Sequence, residues 1–204
     1  MLLNKKLFYS LFLFAITLSA VAQTPRVYAE HSALSAGKWY KVAVSENGIY
    51  KIDYNFVKEV SGGEPSAVPF SKIAVFGNGG GMIPEKNSVF RYDDIQENAV
   101  WRIDQNGNGK MDAGDYILFY GQGADKWFYN TSSKRFYHEK NIYADENYYF
   151  LTTTQGSGKS IASVPSASSF SHSANSFTDY AFHETETYNL LNSGRRWLGD
   201  KMNE

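Results

Sequence analysis

The sequence contains no cysteine. That excludes a disulfide framework, a cysteine-ligated zinc site and a cysteine nucleophile. An excess of one charge is also missing. Twenty Lys and Arg stand against 21 Asp and Glu, for a formal net charge of −1, so no basic field exists for nucleic acid. Histidine is scarce: His31, His138, His172 and His183 are the whole complement, and no two fall at i,i+4 or in H-E-x-x-H. Their plain reading is surface polar residues. No G-x-S-x-G elbow for a serine nucleophile occurs either. The glycine turn at 77–81 is not a dinucleotide fingerprint, because Met82 takes the place of the third glycine and Pro84 stands where a helix would start.

One long apolar run is present, and it lies at the start. Lys5 and Lys6 precede an apolar stretch from Leu7 to Leu18, and Ala20-Val21-Ala22 completes an A-x-A cleavage pattern. Residues 1–22 therefore read as a secretory signal peptide, too short in the apolar part for a comfortable membrane span. No second run of membrane length follows. The expected localisation is exported: periplasmic, extracellular or on the outer membrane surface of a bacterium. A lead-in is expected at 23–36, a β-rich domain at 37–154, and a Ser-rich stretch with a C-terminal segment at 155–204. A mature chain of this length buries roughly 70% of its unfolded surface, enough for a core without disulfides.

Aromatic and β-branched runs alternate with Gly, Asn, Asp and Ser clusters through most of the chain. Strands are predicted at 39–44, 49–52, 72–76, 99–103, 116–120, 127–129, 134–137 and 148–154. Asn47-Gly48 between the first two predicts a β-hairpin. A short helix is predicted over 53–60, with Asp53 as N-cap and Ser61-Gly62-Gly63 as terminator. The expected fold class is all-β, a mainly antiparallel β-sandwich or partly open barrel with one or two short helices. The chain carries 4 Trp, 15 Tyr and 14 Phe. Exposed rings of Trp39, Trp101, Trp127 and Trp197 would suit stacking on sugars, although alternation along strands favours sheet packing.

One loop has informative spacing. Residues 104–115 place oxygen side chains at positions 1, 3, 5, 9 and 12 of a twelve-residue calcium loop: Asp104, Asn106, Asn108, Asp112 and Asp115. Gly109 falls at position 6, and Lys110 at position 7 would offer its carbonyl. Position 12 is Asp rather than Glu, and the flanks read as strands rather than helices. The expected cofactor is calcium, held weakly, at roughly 10⁻⁴–10⁻³ M. The competing reading is a loop that caps its own backbone.

Several segments together resemble one family. They are Gly37-Lys38-Trp39-Tyr40-Lys41-Val42 with Asn47-Gly48-Ile49-Tyr50-Lys51-Ile52-Asp53-Tyr54, Phe76-Gly77-Asn78-Gly79-Gly80-Gly81-Met82, and Arg91-Tyr92-Asp93-Asp94 with Gln96-Glu97-Asn98-Ala99. Most specific is Asp112-Ala113-Gly114-Asp115-Tyr116-Ile117-Leu118-Phe119-Tyr120-Gly121-Gln122-Gly123 with Asp125-Lys126-Trp127. Asn141-Ile142-Tyr143, Asn147-Tyr148-Tyr149-Phe150 and Leu190-Leu191-Asn192-Ser193-Gly194-Arg195 continue the pattern. Together these resemble the N-terminal region of the PorU family, the gingipain-like sortases of type IX secretion in Bacteroidetes. The resemblance implies a surface protein that removes the C-terminal sorting domain of secreted cargo. It also implies a Cys/His peptidase domain downstream. This chain has no Cys, so no catalytic residue carries over, and the chain is expected to be inactive by itself and to be a truncated form or fragment. The implied partners are the peptidase domain of the same family and other outer-surface components of type IX secretion. The alternative is a stand-alone surface module that binds glycan or protein.

Overall fold

Alternation along the strands sets the faces of two sheets. The computed structural model describes residues 28–170, 172–177, 181–183, 185, 187–189, 192 and 197–199. The expected signal peptide at 1–22 and most of the motif at 190–195 lie outside the described residues. The chain divides into Met1–Glu30 and His31–Glu204, and everything below belongs to the second unit. Its strands are β1 (Trp39–Val44), β2 (Gly48–Asp53), β3 (Ala74–Phe76), β4 (Trp101–Ile103), β5 (Tyr116–Gly121), β6 (Lys126–Asn130), β7 (Arg135–Glu139) and β8 (Asn147–Thr152). One α-helix, α1 (Tyr54–Ser61), and three short 3-10 turns complete the described elements. The all-β class is as expected.

The first sheet runs β1-β8-β3 and the second β2-β5-β4, with every pairing antiparallel. In the first sheet Val42 faces Tyr149 and Tyr40 faces Leu151, with Val75 on the other side of Leu151. In the second Ile52 faces Ile117 and Tyr50 faces Phe119. Because side chains alternate across a sheet, these registers put each apolar set on one side. The two sets form a single core with Val57, Phe70, Val100 and Met111. Phe119 and Tyr149 join the layers, with ring centroids 5.3 Å apart. The Tyr149 hydroxyl accepts from the Gln122 N–H at 2.9 Å, so its burial leaves that polar atom satisfied.

The Asn47-Gly48 hairpin does not form. β1 pairs with β8 and β2 with β5, so the connection crosses from one sheet to the other. A two-residue type I′ turn needs positive φ at both central residues, and neither Asn47 nor Gly48 has it. Instead the Asn47 carboxamide oxygen accepts from the Gly123 N–H at 2.9 Å, and Gly48 opens β2 opposite Gly121. The side chain that would serve a local turn serves a contact 76 residues away.

The helix follows its capping signals. The Asp53 carboxylate accepts from the Phe56 N–H at 3.0 Å. At the other end Gly62 adopts φ of 63° and its N–H returns to the Lys58 carbonyl at 3.0 Å. α1 buries Val57 into the core and leaves its polar residues outside.

The start of the Ser-rich stretch belongs to the body. Arg102 donates to the carbonyls of Phe70, Ser71 and Ile73, and also to those of Gly158 and Lys159 and to the Ser160 hydroxyl. Glu97 accepts from the N–H groups of Ser157 and Lys159. One guanidinium and one carboxylate thus hold residues 156–161 against β4. Burial lowers the Arg102 pKa from its ordinary value, yet leaves it charged, since that value lies far above neutral pH. No helix among the described residues is long and apolar enough to cross a membrane.

Candidate functional site

All six residues of the predicted calcium loop come together in the connection between β4 and β5. The loop is anchored by Met111, which is buried in the core, and by the Phe70 N–H, which donates to the Gly109 carbonyl at 2.8 Å. Gly109 turns the chain with φ of 73°. The donor set is hard oxygen, the chemistry calcium takes. Its carboxylates are engaged within the loop. Asp104 accepts from the N–H groups of Gly107 and Gly109 at 2.7 and 2.8 Å. Asp115, almost wholly buried, accepts from those of Gln105 and Asp112 at 2.9 and 2.8 Å. Asp112 accepts from the Asn108 and Asn106 amides, which hold its carboxyl below the usual carboxylate range. The Asn106 and Asn108 oxygens in turn accept from the N–H groups of Asn108 and Lys110. Among the described residues no group of three or more His, Asp or Glu converges as a metal centre does. Calcium at this loop is a proposal, and its test is given below.

Asp94, outside this loop, serves the fold. Burial opposes ionisation of Asp94, but the Ala33 N–H, the Ile95 N–H and the Ser32 hydroxyl outweigh it and keep the carboxyl below its ordinary range. His138 departs from the surface reading. Its side chain is 7% exposed, packed against Trp127 and Phe182, with Nε2 3.5 Å from Asp125. Trp39 meets Phe76 edge-on at 5.0 Å and donates to the Ala36 carbonyl, so its ring is committed to packing.

Two surfaces are rich in exposed apolar groups. The first is the outer face of the β2-β5-β4 sheet. Ile49 opposes Tyr120, and Lys51 opposes Leu118, which opposes Trp101. Ile49 is 75% exposed, Trp101 60% and Tyr120 54%, and no described element covers them. The second is the β6-β7 ribbon. Its register sets Trp127 against His138, Phe128 against Tyr137 and Tyr129 against Phe136. Rings therefore pair on both faces of a two-stranded sheet. The Asn141 N–H closes the ribbon's base on the Asp125 carboxylate at 2.8 Å.

The glycine turn at 77–81 is a packing device. A Cβ at Gly80 would collide with the Gly123 carbonyl, so the backbone of the turn lies directly on the β5–β6 connection. Beside it opens a groove of about 490 Å³ lined in part by Ile83, Phe90, Tyr92, Lys126 and Tyr148. The glycine count hints at close backbone approach, but nothing in the spacing links Lys126 to residues 83–92. That link is made by the fold.

No family model matches the chain, and no curated protein matches it. Among solved structures it is similar to dimeric latent PorU from Porphyromonas gingivalis, at 31% sequence identity and a TM-score of 0.48. The chain is similar to a segment of PorU. The match covers 62% of this chain and 10% of that one, so the chain spans about a tenth of the solved protein's length.

Proposed function

We propose that this chain is the non-catalytic N-terminal β module of a PorU-like cell-surface sortase, which packs on a gingipain-like peptidase domain and positions it. The observation that carries the reading is the open outer face of the β2-β5-β4 sheet. A sheet face bearing a Trp, a Tyr and an Ile, each more than half exposed, is the kind of patch that marks a contact surface. The sequence motifs running through β1, β2, the glycine turn and β5, which resemble the PorU family, support the choice of family. The module acts on the outer surface after export, alongside other components of type IX secretion. It supplies no thiol nucleophile of the gingipain type, since the chain has no cysteine.

Two measurements test this. Freshly repurified protein, incubated with peptides spanning a cargo sorting-domain junction, with and without thiol reductant, is expected to give no turnover. Calorimetry with a PorU-type peptidase domain supplied in trans is expected to give modest association, because domain contacts within a chain bury only roughly 600–1,500 Å². Sustained turnover by the chain alone, or no heat with both pieces folded, would contradict the proposal.

A further inference from the structure

We infer that the tip of the β6-β7 ribbon docks on an anionic lipid surface, with its rings at the headgroup level and its cations on lipid phosphates. Every residue from Phe128 to Tyr137 is exposed, and four of these ten are aromatic: Phe128, Tyr129, Phe136 and Tyr137. The ribbon is a sheet of its own and pairs with neither of the other two. So dense a set of exposed rings marks a surface that meets something other than water. Charge selects what it meets. From Lys126 to His138 the chain has three cations, Lys126, Lys134 and Arg135, and no Asp or Glu. Lys126 stands at the base, between Asp125 in the chain and Glu139 across the ribbon. Lys134 and Arg135 stand at the tip, where no ion pair or hydrogen bond among the described residues engages either side chain. At about 3.3 Å per residue, Glu139 lies roughly 13 Å along β7 from Arg135, farther than the screening length of about 8 Å.

The tip is shaped in advance. The Asn130 carboxamide oxygen accepts from the Ser132 and Ser133 N–H groups at 3.0 and 2.9 Å, and Lys134 turns the chain with φ of 53°. The Tyr137 hydroxyl donates to that of Ser133 at 3.1 Å. The placing of the rings separates a lipid surface from a protein partner. Phe128 and Tyr137 stack on one face of the ribbon, and Tyr129 and Phe136 meet on the other with centroids 5.1 Å apart. On that second face Phe182 packs on Trp127 and His138, nearer the base. A protein surface covers one face of a ribbon, whereas a headgroup layer surrounds an inserted tip on both. Tyrosine rings favour that layer, and Lys and Arg are drawn to it when its lipids are anionic. The backbone fixes the depth. Each strand pairs on one side only, so its outer N–H and C=O groups need water, which holds the ribbon in the interface and out of the hydrocarbon.

The β2-β5-β4 face takes no part, so this inference and the peptidase-docking proposal stand or fall separately. The chain is produced by export and its mass checked for loss of residues 1–22, because the apolar run at 7–18 would itself enter lipid. Co-sedimentation then compares vesicles of phosphatidylcholine with vesicles that also hold about one-third phosphatidylglycerol. Binding is expected on the anionic vesicles, to weaken as salt rises, and to be at least about tenfold weaker on the neutral ones. Lys134→Gly with Arg135→Gln is expected to weaken it about tenfold and to flatten the salt dependence, and glycine suits the left-handed position. Phe128→Thr with Tyr137→Thr is expected to weaken it by a similar factor, about tenfold, with the salt dependence kept. A cooperative melt from each variant shows that it is folded. Equal binding to the two kinds of vesicle would overturn the inference, as would parental binding by either variant. So would tighter binding of soluble polyphosphate than of the anionic vesicles, since charge alone would then account for the tip.

Discussion

In the two-sheet body Phe119 and Tyr149 meet with ring centroids 5.3 Å apart, and both are buried. In the β6-β7 ribbon Phe128 and Tyr137 meet at 5.6 Å, and both remain more than a third exposed. The ring separations are nearly equal, though the first pair is tilted by 59° and the second stacked at 16°, and only the body has a second sheet. Register alone brings cross-strand rings together, whereas burial requires another sheet to close over them. An isolated two-stranded ribbon is marginal in water, so this one depends on its base at Asp125 and Asn141 and on Phe182, which packs against Trp127 and His138. The aromatic wealth of the chain therefore divides into rings that hold the fold and rings that are open to contact.

The sharpest way to break the comparison is to truncate one ring from each region. Phe119→Ala is expected to destabilise by about 3–5 kcal/mol, through lost transfer energy and a cavity between the sheets. Phe128→Ala is expected to cost only about 0.5–1.5 kcal/mol, the worth of a ring pair that retains solvent access. Urea unfolding of both variants checks this, and equal losses would remove the distinction. Next in size is the latch on residues 156–161. Arg102→Met is expected to cost about 2–3 kcal/mol, since it strips a charged donor from several partly buried carbonyls. Faster amide exchange at 156–161 than in β2 or β5 would identify the latch as the cause.

Much of the body was legible from pattern. The strands at 39–44 and 116–120 follow period-two alternation to within a residue, and α1 follows its Asp53 and Gly62 caps. The pairing was not legible. Asn47-Gly48 is a local hairpin signal, yet the Gly123 N–H, far away in sequence, claims the Asn47 side chain and sends β2 to the other sheet. For the loop at 104–115 the spacing picks out six residues within the single connection between β4 and β5. Spacing cannot say whether their oxygens serve a cation or the loop's own N–H groups, because both uses call for Asx residues around a glycine. Arg102 and His138 carried no signal, since their partners are carbonyls and rings contributed by distant segments.

Two smaller effects sharpen the picture at the loops. The calcium proposal predicts that millimolar Ca²⁺ raises Tm and that Asp104→Ala with Asp112→Ala removes the shift. A tenfold excess over Kd contributes about 1.4 kcal/mol. Superimposable melts in calcium and in chelator would leave self-capping as the sufficient account. Asp94→Asn is expected to cost about 1 kcal/mol at neutral pH, because it removes the charge from the hydrogen bonds to Ser32, Ala33 and Ile95. The folded-state pKa of Asp94 lies below its ordinary value. Its contribution is therefore complete above the usual carboxylate range and fades as pH falls through the depressed value. The variant should show a flatter acid limb in Tm against pH, and parallel limbs would contradict this.

The central claim is that the outer face of the β2-β5-β4 sheet is a contact surface rather than a support of the fold. The most direct measurement combines Ile49→Thr, Trp101→Thr and Tyr120→Thr in one variant, with threonine chosen because it suits a strand. Its urea unfolding and its calorimetric titration with the PorU-type peptidase domain are then compared with those of the parent. The account predicts a stability change within about 0.5 kcal/mol per substitution, as for exposed sites, together with loss of measurable association. Association at parental affinity in the folded variant, or collapse of the fold on removing these three side chains, would contradict it.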